Sequence, residues 1–192
     1  MIQQLKTEVE RLEAWALEHD SSEYPYSAEL YSLVEWALEQ PGLAQITFNL
    51  LLRALSLDDD AEGVQDLLRE HPDKAERVAT AAVSRTMDPR ARWQVAVLAG
   101  EFAPETVLLA YLKDSDEYVR RRALLASRHR FVELAEQTAL AWLDAPEEYS
   151  RMVALDTLHA IKSPMYSFAQ KQLAQDESMA VRRKLDKLET GG

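Results

Sequence analysis

The stretch Asp116-Glu117-Tyr118-Val119-Arg120-Arg121-Arg122-Ala123 decides how the chain reads, because versions of it recur. Asp88-Pro89-Arg90-Ala91-Arg92 precedes it, Glu147-Glu148-Tyr149-Ser150-Arg151 follows it, and Val181-Arg182 stands at the corresponding place near the end. Arg92, Arg120, Arg151 and Arg182 are therefore spaced by 28, 31 and 31 residues, the period of a supersecondary unit rather than of a single helix. Leu112 and Leu143 each fall eight residues before their arginine, and Leu173 falls nine before Arg182. Each unit thus reads as two helices. Such a pair cannot bury its apolar faces alone, so neighbouring pairs are expected to stack into an all-α solenoid of antiparallel helix pairs.

Working outward, the spacing stays helical. Ile2, Leu5, Val9, Leu12 and Ala16 share one face, as do Leu30, Leu33, Val34 and Ala37, and later Val64, Leu67 and Leu68. No stretch alternates as a strand does. Pro41, Pro72, Pro89, Pro104 and Pro164 each stand just before a periodic stretch, where a missing N–H costs nothing. The pattern predicts about twelve helices of roughly 10 to 18 residues, joined by loops of about two to six. A single domain over 1–192 is expected, with residues 1–80 built of divergent helical pairs and residues 88–189 of the repeats.

At residues 88–189 the chain resembles the HEAT-like repeat family in its short bacterial form, the PBS-lyase-type repeats. There a second helix opens with an acid, then Val-Arg, then a small residue three positions on. Asp116 to Ala123 matches best, Glu147 to Ala154 and Asp88 to Val95 match in part, and Ser178 replaces the acid in the last unit. The resemblance implies a curved solenoid that binds another macromolecule, with the second helices lining its concave side. It places Trp93, Arg121, Met152 and Arg183 outward there, with Gly100, Arg128 and His159 further along. A protein partner is the implied class. The alternative is nucleic acid, because DNA-alkylation glycosylases built from HEAT-like repeats use a surface of arginines and aromatics. Bilin-lyase-like proteins, which share these short repeats, form a third class.

Composition narrows the chemistry. With 22 Lys and Arg against 33 Asp and Glu, the formal net charge is -11 and the sequence pI about 4.9. Cysteine is absent, which removes disulfides, thiolate nucleophiles and Cys-based zinc sites and suits a reducing compartment. No signal peptide and no long apolar segment is visible, so a cytoplasmic, non-membrane protein is expected. Hydrolase, nucleotide and dinucleotide motifs are missing, and the four histidines are dispersed. The expectation is a binding protein that is not an enzyme and carries no cofactor and no metal.

Four groups of residues stand out. The first is a ladder of Asp88, Arg92, Asp116, Arg120, Glu147, Arg151 and Arg182, in which an acid one turn before each arginine pairs with it and with the next repeat. A phosphate clamp is the functional alternative. The second is charge: residues 1–80 hold 17 acids and 6 bases, a net of -11, while residues 81–192 hold 16 of each. That segment is either a solvated face or a docking surface for a basic partner, centred on Asp58, Asp59, Asp60 and Glu62. The third is the aromatic and basic set Trp93, Arg121 and Arg128, an interface for protein or for nucleic acid, the latter opposed by the overall acidity. The fourth is Tyr24 and Tyr26, on a loop that either contacts a partner or folds back over the end of the solenoid. Small size, an acidic segment and no cofactor motif make the analogy to bacterial immunity or inhibitor proteins that mask a basic toxin domain.

Overall fold

Acids and prolines at the recurring positions start the helices, and the structure shows how. Asp88 accepts a hydrogen bond from the Arg90 amide at 2.8 Å, and Pro89 takes the first helical position behind it. Asp116 accepts from the amides of Tyr118 and Val119 at 2.8 and 3.1 Å. Both are side-chain N-caps that satisfy donors the helix itself leaves free. In the computed structural model, which describes residues 1–19, 24–58, 62–85 and 87–190, the chain is all-α. Among the described residues the helices are α1 (Ile2–Glu18), α2 (Ser27–Glu39), α3 (Gln45–Leu57), α4 (Gly63–Arg69), α5 (Pro72–Ala82) and α6 (Pro89–Phe102), then α7 (Glu105–Leu112), α8 (Glu117–Ser127), α9 (Val132–Trp142), α10 (Glu148–Ala160), α11 (Tyr166–Leu173) and α12 (Met179–Thr190). The expected number is met. Three are shorter than expected, at 7 residues for α4 and 8 each for α7 and α11. α4 is hemmed between Gly63 and Pro72, and α7 can start only after Pro104.

The helices contact one another in series. α1 packs on α3, α3 on α6, α6 on α8, α8 on α10 and α10 on α12, a continuous row. The remaining helices fill in beside it: α2 against α1, α5 against α6, α7 against α6 and α8, α9 against α8 and α10, and α11 against α10 and α12. α4 bridges α2, α3, α5 and α6.

Leu5, Leu51, Leu98, Leu124 and Leu155 are fully buried along this row. Each contributes about 1.5–3 kcal/mol by leaving water. The tightest joint is α6 on α8, since a Cβ on Gly100 would fall 2.4 Å from the Ala126 Cβ and 2.8 Å from its backbone carbonyl carbon. Only a residue without a side chain permits that approach.

Buried polar groups tie the other joints. Gln94 Nε2 donates to the Leu55 carbonyl at 2.6 Å and Gln65 Nε2 to the Gln94 carbonyl at 3.0 Å, binding α3, α4 and α6 together. The Tyr111 hydroxyl donates to the Ala79 carbonyl at 2.8 Å, and Lys74 Nζ to the carbonyls of Gln40 and Gly42 just beyond the end of α2, both at 3.0 Å. Among the described residues no helix is long and apolar enough to cross a membrane.

Candidate interaction surfaces

The arginine ladder exists, but its acid lies six residues before the arginine in two of the repeats. Arg92 pairs with Asp114, one repeat on, and Arg151 pairs bidentately with Asp176 at 2.7 and 2.8 Å. Asp114 and Asp176 stand six residues before Arg120 and Arg182. Each also accepts the backbone amide two residues on, from Asp116 at 2.9 Å and from Ser178 at 2.8 Å. The expected partners Asp88 and Asp116 are instead engaged as caps, because an acid just ahead of a helix is closer to the free amides than to a side chain one turn inside.

The middle joint differs. Ala145 occupies the place of Asp114 and Asp176, so Arg120 reaches Glu147 instead, at 3.3 Å. Glu147 makes no side-chain cap bond and is free to do so. Three arginines also donate back to carbonyls five and six residues earlier: Arg120 to Asp114 and Ser115, Arg151 to Ala145 and Pro146, and Arg182 to Asp176 and Glu177. The signal that could have found this is Asp114-Ser-Asp116 and Asp176-Glu-Ser178, an acid two residues before each cap. The Arg151 guanidinium holds the Asp176 carboxyl below its ordinary value of 3.8, outweighing burial, with the Ser178 amide assisting.

The aromatic and basic set is partly enclosed. Trp93 is buried, with the Arg122 guanidinium 4.3 Å from its ring and Tyr118 edge-on at 5.8 Å. It is therefore not an outward residue; α6 turns it under α8. Gly100 is likewise covered, by Ala126. Arg128 is spent on Asp156 at 2.8 Å and on the Thr157 hydroxyl at 2.9 Å. Burial raises the Asp156 carboxyl's affinity for its proton, yet Lys184 and Arg128 together bring it below the ordinary value. Arg121 lies between the rings of Tyr118 and Tyr149, 5.3 and 5.0 Å from their centroids.

The proposed centre of the acidic segment also changes. Asp58 is buried: its carboxylate accepts from the Tyr31 hydroxyl at 2.7 Å and from the Val64 amide at 2.8 Å, so it caps α4 from a distance. Glu62, in the left-handed region at φ 55°, cannot cap α4 with its own side chain and instead sits 3.9 Å from Arg122. Asp59 and Asp60 lie outside the described residues.

Among the described residues, unmatched acids that face solvent lie on other elements. Of the six bases in residues 1–80, five are matched: Lys6 with Glu10, Arg11 with Glu8, Arg53 with Glu13, Arg69 with Asp66 and Glu101, and Lys74 with Asp73. Glu29, Glu35 and Glu39 on α2, together with Glu70 and Glu76, are exposed and have no cationic partner among the described residues.

Tyr24 folds back. Its hydroxyl donates to the buried Glu8 carboxylate at 2.5 Å, and its ring meets Trp15 edge-on. Burial and Glu8 hold that hydroxyl protonated well above its ordinary value. Tyr26 stays exposed beneath Arg11, at 4.7 Å. Between α1 and α2 runs an open groove of about 650 Å³ lined by Gln3, Thr7, Glu8, Arg11, Ser32 and Leu33.

Among the described residues no group of three His, Asp or Glu is arranged to hold a metal ion. Compared with protein-family models and with curated proteins, the sequence matches none.

Proposed function

We propose that this is a HEAT-like helical-repeat protein that binds a basic protein partner through the exposed acids of its first helices, without chemistry of its own. The observation that carries the reading is the charge of α2, which bears three exposed acids and no Lys or Arg. In α6–α12 the acids Asp114, Glu147, Asp156 and Asp176 neutralise arginines within the molecule. On α2, Glu29, Glu35 and Glu39 have no such counterpart among the described residues. A field of one sign on one part of a molecule accelerates encounter with a surface of the opposite sign. Immunity or inhibitor proteins that mask a basic domain are the functional analogy, and a cytoplasmic location would suit one.

The test is association kinetics with the partner obtained by affinity capture. Glu29→Lys, Glu35→Lys and Glu39→Lys combined should slow association by about tenfold at low salt, with the difference fading as salt rises. Helicity and melting should stay near wild type, because all three side chains are exposed. Equal association rates for wild type and variant would overturn the reading.

A further inference from the structure

Arg121 and Arg122 differ from the other arginines of the row. Arg92, Arg120, Arg128, Arg151 and Arg182 each donate at least two hydrogen bonds to acids, hydroxyls or carbonyls. Among the described residues neither Arg121 nor Arg122 donates any, and the Nε of each is sealed from solvent without an acceptor. Glu117 Oε1 lies 3.2 Å from Arg121 Nε but outside hydrogen-bond geometry, and Glu62 is 3.9 Å from Arg122. Shielded donors without acceptors are costly, and where they occur in folded proteins they call for a reason.

Rings flank these two side chains, beside the ion pairs with Glu117 and Glu62. Trp93, Arg122, Tyr118, Arg121 and Tyr149 alternate ring and cation across α6, α8 and α10, with distances of 4.3, 5.9, 5.3 and 5.0 Å. A ring beside a guanidinium restrains it without using its donors, and with Nε sealed it is the terminal Nη1–Nη2 edge that reaches solvent on side chains 19% and 28% exposed. Tyr118 and Tyr149, 43% and 53% exposed, border the same edge. A guanidinium edge restrained in this way matches a carboxylate bidentately, and part of the ordering entropy is already spent.

We propose that the Arg121–Arg122 pair is a docking point for an acidic peptide segment, one carboxylate of which meets each guanidinium edge. Carboxylates on every second residue suit the site better than a polyphosphate, because a ligand with a charge on every unit meets more repulsion from the same surroundings. Glu62 and Glu117 already flank the arginines, and the net charge of -11 repels a polyanion along its whole length. In an extended segment, alternate residues stand roughly 7 Å apart on one face and can straddle Tyr118. This site is distinct from the acidic surface of α2, and its test does not depend on a basic partner.

The experiment follows the Nε–Hε resonances of the arginines by nuclear magnetic resonance, assigned through Arg121→Lys and Arg122→Lys. A blocked hexapeptide alternating Glu and Ala is titrated at about 50 mM salt, where screening is weak. Saturable shifts of the Arg121 and Arg122 signals are expected, with exposed Arg77 and Arg183 unmoved. The same peptide with Gln for Glu should leave all four in place. The double lysine variant, which keeps the charge but loses the fork, should bind the Glu peptide about tenfold more weakly. Tyr149→Leu, which removes one ring of the clamp, should weaken it as well. The proposal fails if the Glu peptide produces no saturable shift, or if it moves Arg77 and Arg183 equally. A thymidine hexanucleotide that binds more tightly than the Glu peptide would assign the site to nucleic acid instead.

Discussion

Arg151 and Arg120 occupy equivalent positions, yet they sit in different surroundings. Arg151 is 7% exposed and grips Asp176 with two bonds, whereas Arg120 is 22% exposed with a single 3.3 Å contact to Glu147. Removing Arg151 leaves a carboxylate enclosed and unpaired, which costs about 3–5 kcal/mol. Arg120→Ala should cost about 1 kcal/mol, since its partner is open to water. Urea denaturation of the two variants measures the difference, and equal losses would mean that enclosure does not matter here.

The Arg151 and Asp176 pair also fixes an acid dependence. Because the folded-state value of Asp176 is depressed, its contribution is complete above the ordinary carboxylate value of 3.8 and is lost as pH falls through the folded one. The stability gap between wild type and Asp176→Asn should therefore be full at neutral pH and close in strong acid. At this scale the arginines were legible from their period. Their partners were not, because the same acid type serves both as a cap and as an ion-pair partner, and only the geometry two residues upstream separates the roles.

Among the helices, the joint between α6 and α8 depends on the absence of a side chain at Gly100. Alanine there would gain about 1 kcal/mol of helix propensity. It would also force a methyl group to within 2.8 and 2.9 Å of the Ala126 carbonyl carbon and oxygen, which cannot move aside as a side chain can. Gly100→Ala should lose about 1–3 kcal/mol overall. Adding Ala126→Gly should restore only part of it, as read from melting temperatures. Helix count and most helix starts could be read from periodicity, prolines and caps. The depth of each helix could not: Trp93 and Asp58 look like surface residues in the sequence, and it is the close approach of α8 that covers the first, while the Tyr31 hydroxyl and the Val64 amide draw in the second.

Across the whole molecule, α1, α3, α6, α8, α10 and α12 form a row in which each helix touches the next, so a rotation at one joint is carried to everything beyond it. The joints are not equally braced. From α6 to α8 the row is held by Arg92 with Asp114, and from α10 to α12 by Arg151 with Asp176, each acid locked by a backbone amide. Between α8 and α10, Ala145 offers no such acid, and the longer and more exposed Glu147 stands in. Supplying the carboxylate by Ala145→Asp should brace that joint. With no native cysteine in the chain, spin labels placed at Glu105 and Lys171 would report on it cleanly. Their distance distribution should narrow in the variant, and an unchanged width would show the joint to be stiff already. Mechanically, that joint carries its load at the far end instead, through Arg128 on Asp156 and Thr157, so loosening the Arg120 end would let α10 swing about the Arg128 end rather than part from α8.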